Sequence, residues 1–145
     1  NNILLDGRVG QGHWSNYIGN STGLVFEHNI VAWSNKEAPL WAAGKLGPEV
    51  ITSDSNLFWC PGLTEPKVGY GGRTTWANWV AQGFDRSSLF ADPLFTDPAH
   101  DDYSLKADSP AWKLGFKKID TSEMEAAKAL CQCEVKPAAE VFFAE

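Results

Sequence analysis

The sequence predicts an all-β fold built from stacked coils, a parallel β-helix of about three coils. Three observations support this prediction: a short motif that recurs at a fixed spacing, strand-like segments within each repeat, and turn residues between those segments. The motif is an asparagine followed by an apolar run, and its copies begin at Asn2, Asn29 and Asn56, 27 residues apart. A fixed period in this range is typical of solenoids, in which each repeat covers the apolar face of its neighbour.

The repeated segments have the composition of β-strands. Residues 24–33 and 50–60 are rich in β-branched and aromatic side chains, and they are short enough for strands. The interval 35–47 contains a proline and two glycines, which predicts a turn or a protruding loop. Because successive coils lie about 4.8 Å apart, the three asparagines are expected to form a ladder along the axis.

The repeat ends after Cys60. Residues 61–73 are rich in glycine and proline and predict a long loop, while residues 74–83 predict a short helix. Short strand candidates separated by Asp-Pro turns follow from residue 87. A capping box that begins at Ser122, followed by an alanine-rich run, predicts a C-terminal helical tail.

Charge and composition exclude several classes of partner. The chain has 145 residues and a net charge of −6, and its basic residues are scattered, which disfavours nucleic acid and anionic membranes. No apolar run reaches the length of about 18 residues that a membrane span needs. The three cysteines show no redox or zinc spacing, so we expect no cofactor, although stacked carboxylates leave calcium possible.

One stretch carries a family resemblance. Residues 91–98 read Ala-Asp-Pro-Leu-Phe-Thr-Asp-Pro, with Asp-Tyr-Ser-Leu at 102–105 and Ser-Pro-Ala at 109–111. This stretch resembles the closing segment of right-handed parallel β-helix proteins of the pectate-lyase-like kind, common among secreted bacterial carbohydrate-active enzymes. The resemblance implies that residues 1–120 are the C-terminal coils and closing segment of such a helix, and that residues 121–145 form a helical tail.

The same resemblance sets the functional expectations. It implies a secreted or periplasmic protein that acts on a polysaccharide or oligosaccharide, and members of this fold include hydrolases, lyases and epimerases. Relatives usually have many coils before this ending, which implies that preceding coils of a longer chain, or another subunit, cover the first coil. A glycoside hydrolase is the first expectation, because the repeat strands offer carboxylates but not the basic residue that lyases of this fold need. A polysaccharide lyase or epimerase, or a non-catalytic glycan-binding or structural end piece, is the alternative.

The repeat also selects a candidate catalytic pair. A shift of 27 residues places Glu27 directly over Asp54. Adjacent coils would bring the two carboxylates to roughly 5 Å, near the separation of acid and nucleophile in retaining glycosidases. The alternatives are that both side chains are simply solvated or that they bind calcium.

Tryptophans are the candidate sugar-binding residues. The chain has seven, and their flat faces suit stacking on sugar rings. Trp33 and Trp59, at strand ends, are the first candidates, and Trp14 and Trp41, in predicted loops, come next. The alternative is that each indole fills a gap between coils and loops. Arg73 is a candidate for binding a uronate carboxylate, and the alternative is that it ties its loop to Asp85.

Overall fold

The computed structural model describes residues 1–14, 22–43, 47–69 and 74–122, without the side chains of residues 13, 14, 42 and 43. The described strands are β1 Ile3–Leu5, β2 Gly12–Trp14, β3 Leu24–Glu27, β4 Ile30–Ala32, β5 Trp41–Ala43, β6 Ile51–Asp54, β7 Leu57–Trp59, β8 Leu89–Phe90, β9 Phe95–Asp97 and β10 Asp102–Leu105. Helix α1, Trp76–Ala81, lies between β7 and β8, and 3-10 turns span Pro98–His100 and Pro110–Leu114.

The strands form four separate sheets. A parallel sheet has the order β1-β4-β7-β8, two further parallel pairs are β2-β5 and β3-β6, and β9 pairs with β10 in antiparallel orientation. The described residues contain no closed solenoid, so the prediction of an all-β, right-handed parallel β-helix is wrong. The described part of the chain is instead a small mixed domain with parallel and antiparallel sheets and one α-helix.

The physical reason lies in how little of the chain repeats. The 27-residue step occurs only twice, and its strands are three or four residues long, so two of the parallel sheets stop at two strands. After β7 the chain forms α1 and then the antiparallel hairpin of β9 and β10, neither of which belongs to a repeat. The helical tail predicted for residues 121–145 lies almost entirely outside the described residues.

The 27-residue spacing does set the register between β1, β4 and β7 and between β3 and β6, whereas β2 pairs with β5 at a step of 29. Ile3 of β1 pairs with Ile30 of β4, which pairs with Leu57 of β7. In the third sheet Glu27 of β3 pairs with Asp54 of β6. Each of these pairs is one period apart, so the spacing predicts which residues are neighbours across these strands.

An asparagine ladder runs along this register, as predicted. The backbone N–H and the Nδ2 of Asn2 both donate to Oδ1 of Asn29, at 2.9 and 3.0 Å. The same two groups of Asn29 donate to Oδ1 of Asn56, at 2.9 and 3.1 Å. The residues just before the inner asparagines, His28 and Ser55, have left-handed backbone angles (φ 56° and 55°). The ladder therefore fixes a sharp corner before β4 and before β7.

A buried carboxylate ends the ladder. Asn56 donates through Nδ2 to Oδ1 of Asp85 at 3.1 Å, and the same oxygen accepts from the hydroxyls of Ser53 (2.9 Å) and Ser88 (2.8 Å). The other oxygen, Oδ2, accepts from Nε1 of Trp79 at 2.8 Å. Four donors thus satisfy a carboxylate that is buried, which offsets the cost of removing its charge from water.

The two central strands of the main sheet, β4 and β7, pack against core residues on both faces. Val31 and Phe58 point into the larger core cluster, whereas their neighbours Ile30 and Leu57 belong to a second cluster that contains Phe116. Alternate residues of a strand face opposite sides, so burial of both sides explains why β4 and β7 are continuous apolar runs.

Helix α1 forms where the sequence predicts a short helix. Thr75 caps its start by accepting a hydrogen bond from the backbone of Asn78 at 3.1 Å, and Trp79 buries its inner face. Gly83, with a φ of 106°, takes the left-handed conformation just past its end. Of the described helices, none has the length and apolar composition needed to cross a membrane.

Candidate functional site

A groove with a volume of about 390 Å³ lies where the main-sheet strands end. Part of its lining comes from the last residues of β1, β4 and β7 and the residues just after them, and the rest comes from residues 92–106, the segment that holds β9 and β10. This volume is within the range of small-molecule sites, which are typically apolar clefts with a few polar groups. The groove is therefore the candidate site.

Two aromatic side chains give the groove flat apolar surfaces. Trp59 is half-buried, and its ring centroid lies 6.0 Å from that of Phe90. Tyr103 is also half-buried, and its ring meets Phe95 edge-on at 5.4 Å. Because a neighbouring ring packs against each of them, both are held in place before any ligand arrives.

The polar groups of the groove are partly occupied by the protein itself. Asp6 accepts hydrogen bonds at one oxygen, Oδ1, from the backbone N–H and the hydroxyl of Ser34, both at 2.8 Å. Asp92 accepts from the backbone N–H of Leu94 at 2.8 Å, also through Oδ1. The Oδ2 atoms of both carboxylates, and the ammonium of Lys106, have no hydrogen bond or ion pair within the described residues. They are available as acceptors and as a donor.

The predicted catalytic pair lies apart from this groove. Glu27 and Asp54 are direct partners on β3 and β6 and are both half-buried, but neither lines the groove. Oδ1 of Asp54 accepts from the backbone N–H groups of Ser55 at 2.8 Å and of Ser87 at 2.6 Å. Asp54 therefore holds a turn, whereas the carboxylate of Glu27 has no hydrogen bond among the described residues.

The predicted sugar-binding tryptophans fall into three groups. Trp33 and Trp59 both line the groove, but Trp33 is buried and offers no free face to solvent. Trp41 is buried in the larger core, with edge-on ring contacts to its neighbours. The backbone of Trp14 ends β2, while its side chain lies outside the described part of the structure, as does the whole of Arg73.

The sequence patterns do not point to the other groove residues. Tyr103 and Lys106 belong to the segment that carries the family resemblance, which implies a role in a closing structure. Asp6 carries a usable signal, because one period of 27 residues places it beside Trp33. When the 27-residue period is applied to all positions, and not only to the asparagine motif, it predicts that Asp6 lies next to Trp33 in the groove.

Neither metal ligands among the described residues nor similar known proteins indicate a function for the groove. Among the described residues, no group of three or more His, Cys, Asp and Glu side chains is arranged to hold a metal ion, so the calcium alternative gains no site there. Comparisons with protein-family models, with curated proteins and with solved structures find no match to this chain. The groove and its side chains are thus the basis for a functional proposal.

Proposed function

We propose that this chain is a carbohydrate-binding protein that holds a neutral polysaccharide or oligosaccharide in the groove. The observation that carries the proposal is the combination, in one groove, of the half-buried rings of Trp59 and Tyr103 with the free carboxylate oxygens of Asp6 and Asp92. A secreted or periplasmic location, where polysaccharides are met, is part of the same proposal.

The chemistry of a sugar matches these groups. One face of a pyranose ring presents C–H groups, which pack on an aromatic ring, while the hydroxyls at its rim donate to carboxylates and accept from an ammonium such as that of Lys106. The two carboxylates outnumber the one ammonium, and the chain has a net charge of −6. Both facts favour a neutral glycan over an acidic one.

A glycan-binding titration with variants of the groove tests this proposal. The parent protein would be titrated with neutral and acidic plant, algal and host glycans by calorimetry, together with Trp59→Ala and Tyr103→Ala. We expect each variant to lose roughly tenfold or more in affinity, because a stacking surface is removed. Ile119→Ala is the matched control, since Ile119 is an exposed apolar residue outside the groove. Binding that is unchanged in both folded groove variants, or no binding to any glycan, would refute the proposal.

Glycoside hydrolysis is the second candidate, and the pairing of Glu27 with Asp54 favours it. Neighbouring parallel strands lie about 4.8 Å apart, which is compatible with the short carboxylate separation of retaining enzymes. Asp54→Asn keeps an oxygen to accept the two backbone hydrogen bonds but removes the charge. If the parent releases reducing ends from a glycan, this variant should be inactive, and equal release by both proteins would exclude the pair. Release of unsaturated uronates, followed by ultraviolet absorbance, would instead indicate a lyase.

A further inference from the structure

Exposed apolar side chains are concentrated on the first repeat. Seven large apolar residues are exposed among those described, and five of them belong to residues 1–27: Leu4, Leu5, Val9, Leu24 and Val25. The equivalent positions one period later can be buried: Leu4 is 38% exposed against 0% for Val31, and Leu24 is 42% exposed against 2% for Ile51. Val31 and Ile51 differ from Leu4 and Leu24 in that a strand of the preceding repeat pairs with their own: β1 pairs with β4, and β3 pairs with β6. The first repeat has no such neighbour among the described residues.

The backbone of the first repeat is open on the same side. Among the described residues, each of β1, β2 and β3 is the outermost strand of its sheet and has a paired strand on one side only. On the paired side of β1, the carbonyl of Asn2 accepts from the N–H of Ile30 at 2.8 Å, and the N–H of Asp6 donates to the carbonyl of Ala32 at 3.0 Å. Since alternate residues of a strand pair to opposite sides, Ile3 and Leu5 direct their N–H and C=O groups to the open side.

The asparagine ladder specifies what fits this edge. Within the chain, Oδ1 of Asn29 accepts two hydrogen bonds from the asparagine one repeat earlier, and so does Oδ1 of Asn56. Oδ1 of Asn2 has no donor among the described residues. We propose that the open edge of β1 docks a parallel strand of a partner polypeptide, and that this strand consists of an asparagine followed by apolar residues.

A second copy of this chain fits the edge less well. Two copies related by a two-fold axis would pair β1 with itself in antiparallel orientation. That arrangement removes the asparagine from the parallel register that the chain uses twice, between β1 and β4 and between β4 and β7. A parallel strand of the repeat type keeps the register, donates to Asn2 and covers Leu4.

A peptide titration followed by NMR tests the proposal. The probe is a capped peptide with the sequence of residues 29–34, Asn-Ile-Val-Ala-Trp-Ser, and the control peptide, Ile-Val-Asn-Ala-Trp-Ser, moves the asparagine out of register. We expect the probe to slow amide exchange at Ile3 and Leu5, and the control peptide to bind about tenfold more weakly, because two hydrogen bonds to Asn2 are lost. Asn2→Ala should weaken the probe to the level of the control peptide, whereas Asn35→Ala, an exposed asparagine outside this edge, should leave binding unchanged.

Three results would overturn this proposal. The first is that neither Ile3 nor Leu5 responds at millimolar probe, and the second is that both peptides bind equally well. The third is a concentration-dependent dimer, seen by sedimentation, that protects the same two amides without any peptide, because a second copy would then be the occupant. None of these results depends on the glycan groove, so the two proposals stand or fall separately.

Discussion

Replacement of Asn56 by alanine should strongly destabilise the fold. Asn56 is 0% exposed and connects three parts of the structure. Its Oδ1 accepts from the backbone N–H and the Nδ2 of Asn29, and its Nδ2 donates to the carbonyl of Phe26 at 2.9 Å and to Asp85 at 3.1 Å. After the substitution Asp85 keeps its other donors. The two donor groups of Asn29, by contrast, lose the oxygen that accepts their hydrogen bonds.

The magnitude follows from the groups that lose their partner. Asn29 is 3% exposed, so water does not easily replace the missing acceptor. A buried donor left without a partner costs about 1–3 kcal/mol, and two such donors together with the cavity give an expected loss of about 3–5 kcal/mol. A domain of this size is stable by only about 5–15 kcal/mol, so the variant should be close to the limit of folding.

Asn2→Ala is the matched control for this experiment. Asn2 has the same residue type and the same place in the repeat, but it is exposed, and its backbone hydrogen bond to Asn29 survives the substitution. Its expected cost is below about 1 kcal/mol. Urea unfolding followed by fluorescence would measure both variants against the parent at equal slope. Equal losses for Asn56→Ala and Asn2→Ala would show that burial of the ladder does not determine its contribution.

Two further predictions concern pH and backbone conformation. The Lys67 ammonium donates to Glu37 at 2.8 Å and lowers the pKa of that carboxyl. The pair therefore contributes stability above the unfolded-state pKa of Glu37, and this contribution is lost as pH falls through the folded-state pKa. Lys67→Ala should raise the pKa of Glu37 in an NMR titration, and an unchanged value would contradict this. Gly115 has a φ of 82°, and a Cβ there would lie 3.1 Å from Nδ1 of His28. Gly115→Ala should therefore destabilise the fold by more than about 1 kcal/mol. An unchanged melting temperature would show that this turn can relax.

Periodicity predicted the local neighbours but not the fold class. The spacing of the asparagines predicted the ladder and the pairing of Glu27 with Asp54, because residues one period apart are direct partners between these strands. It did not predict how many strands each sheet has, since that depends on the chain outside the repeat. The antiparallel pairing of β9 with β10 is an interaction within that outside segment. The prediction of the fold class is wrong for that reason.

The groove was missed for a related reason, which also bears on where function lies. Within the repeat, several polar side chains are committed to structure: Asn56 holds the ladder, and Asp54 binds two backbone N–H groups. From β7 to β8 the step is 32 residues, as between Asn56 and Ser88, and not 27, because the chain inserts α1 and its flanking loops. In the described residues the strand order ends at β8, and Trp59 lines the groove together with residues of the segment 92–106 instead of another repeat. Side chains at this break are not needed to hold the next strand, so the end of the repeat is where this fold can leave aromatic and carboxylate groups available to a ligand.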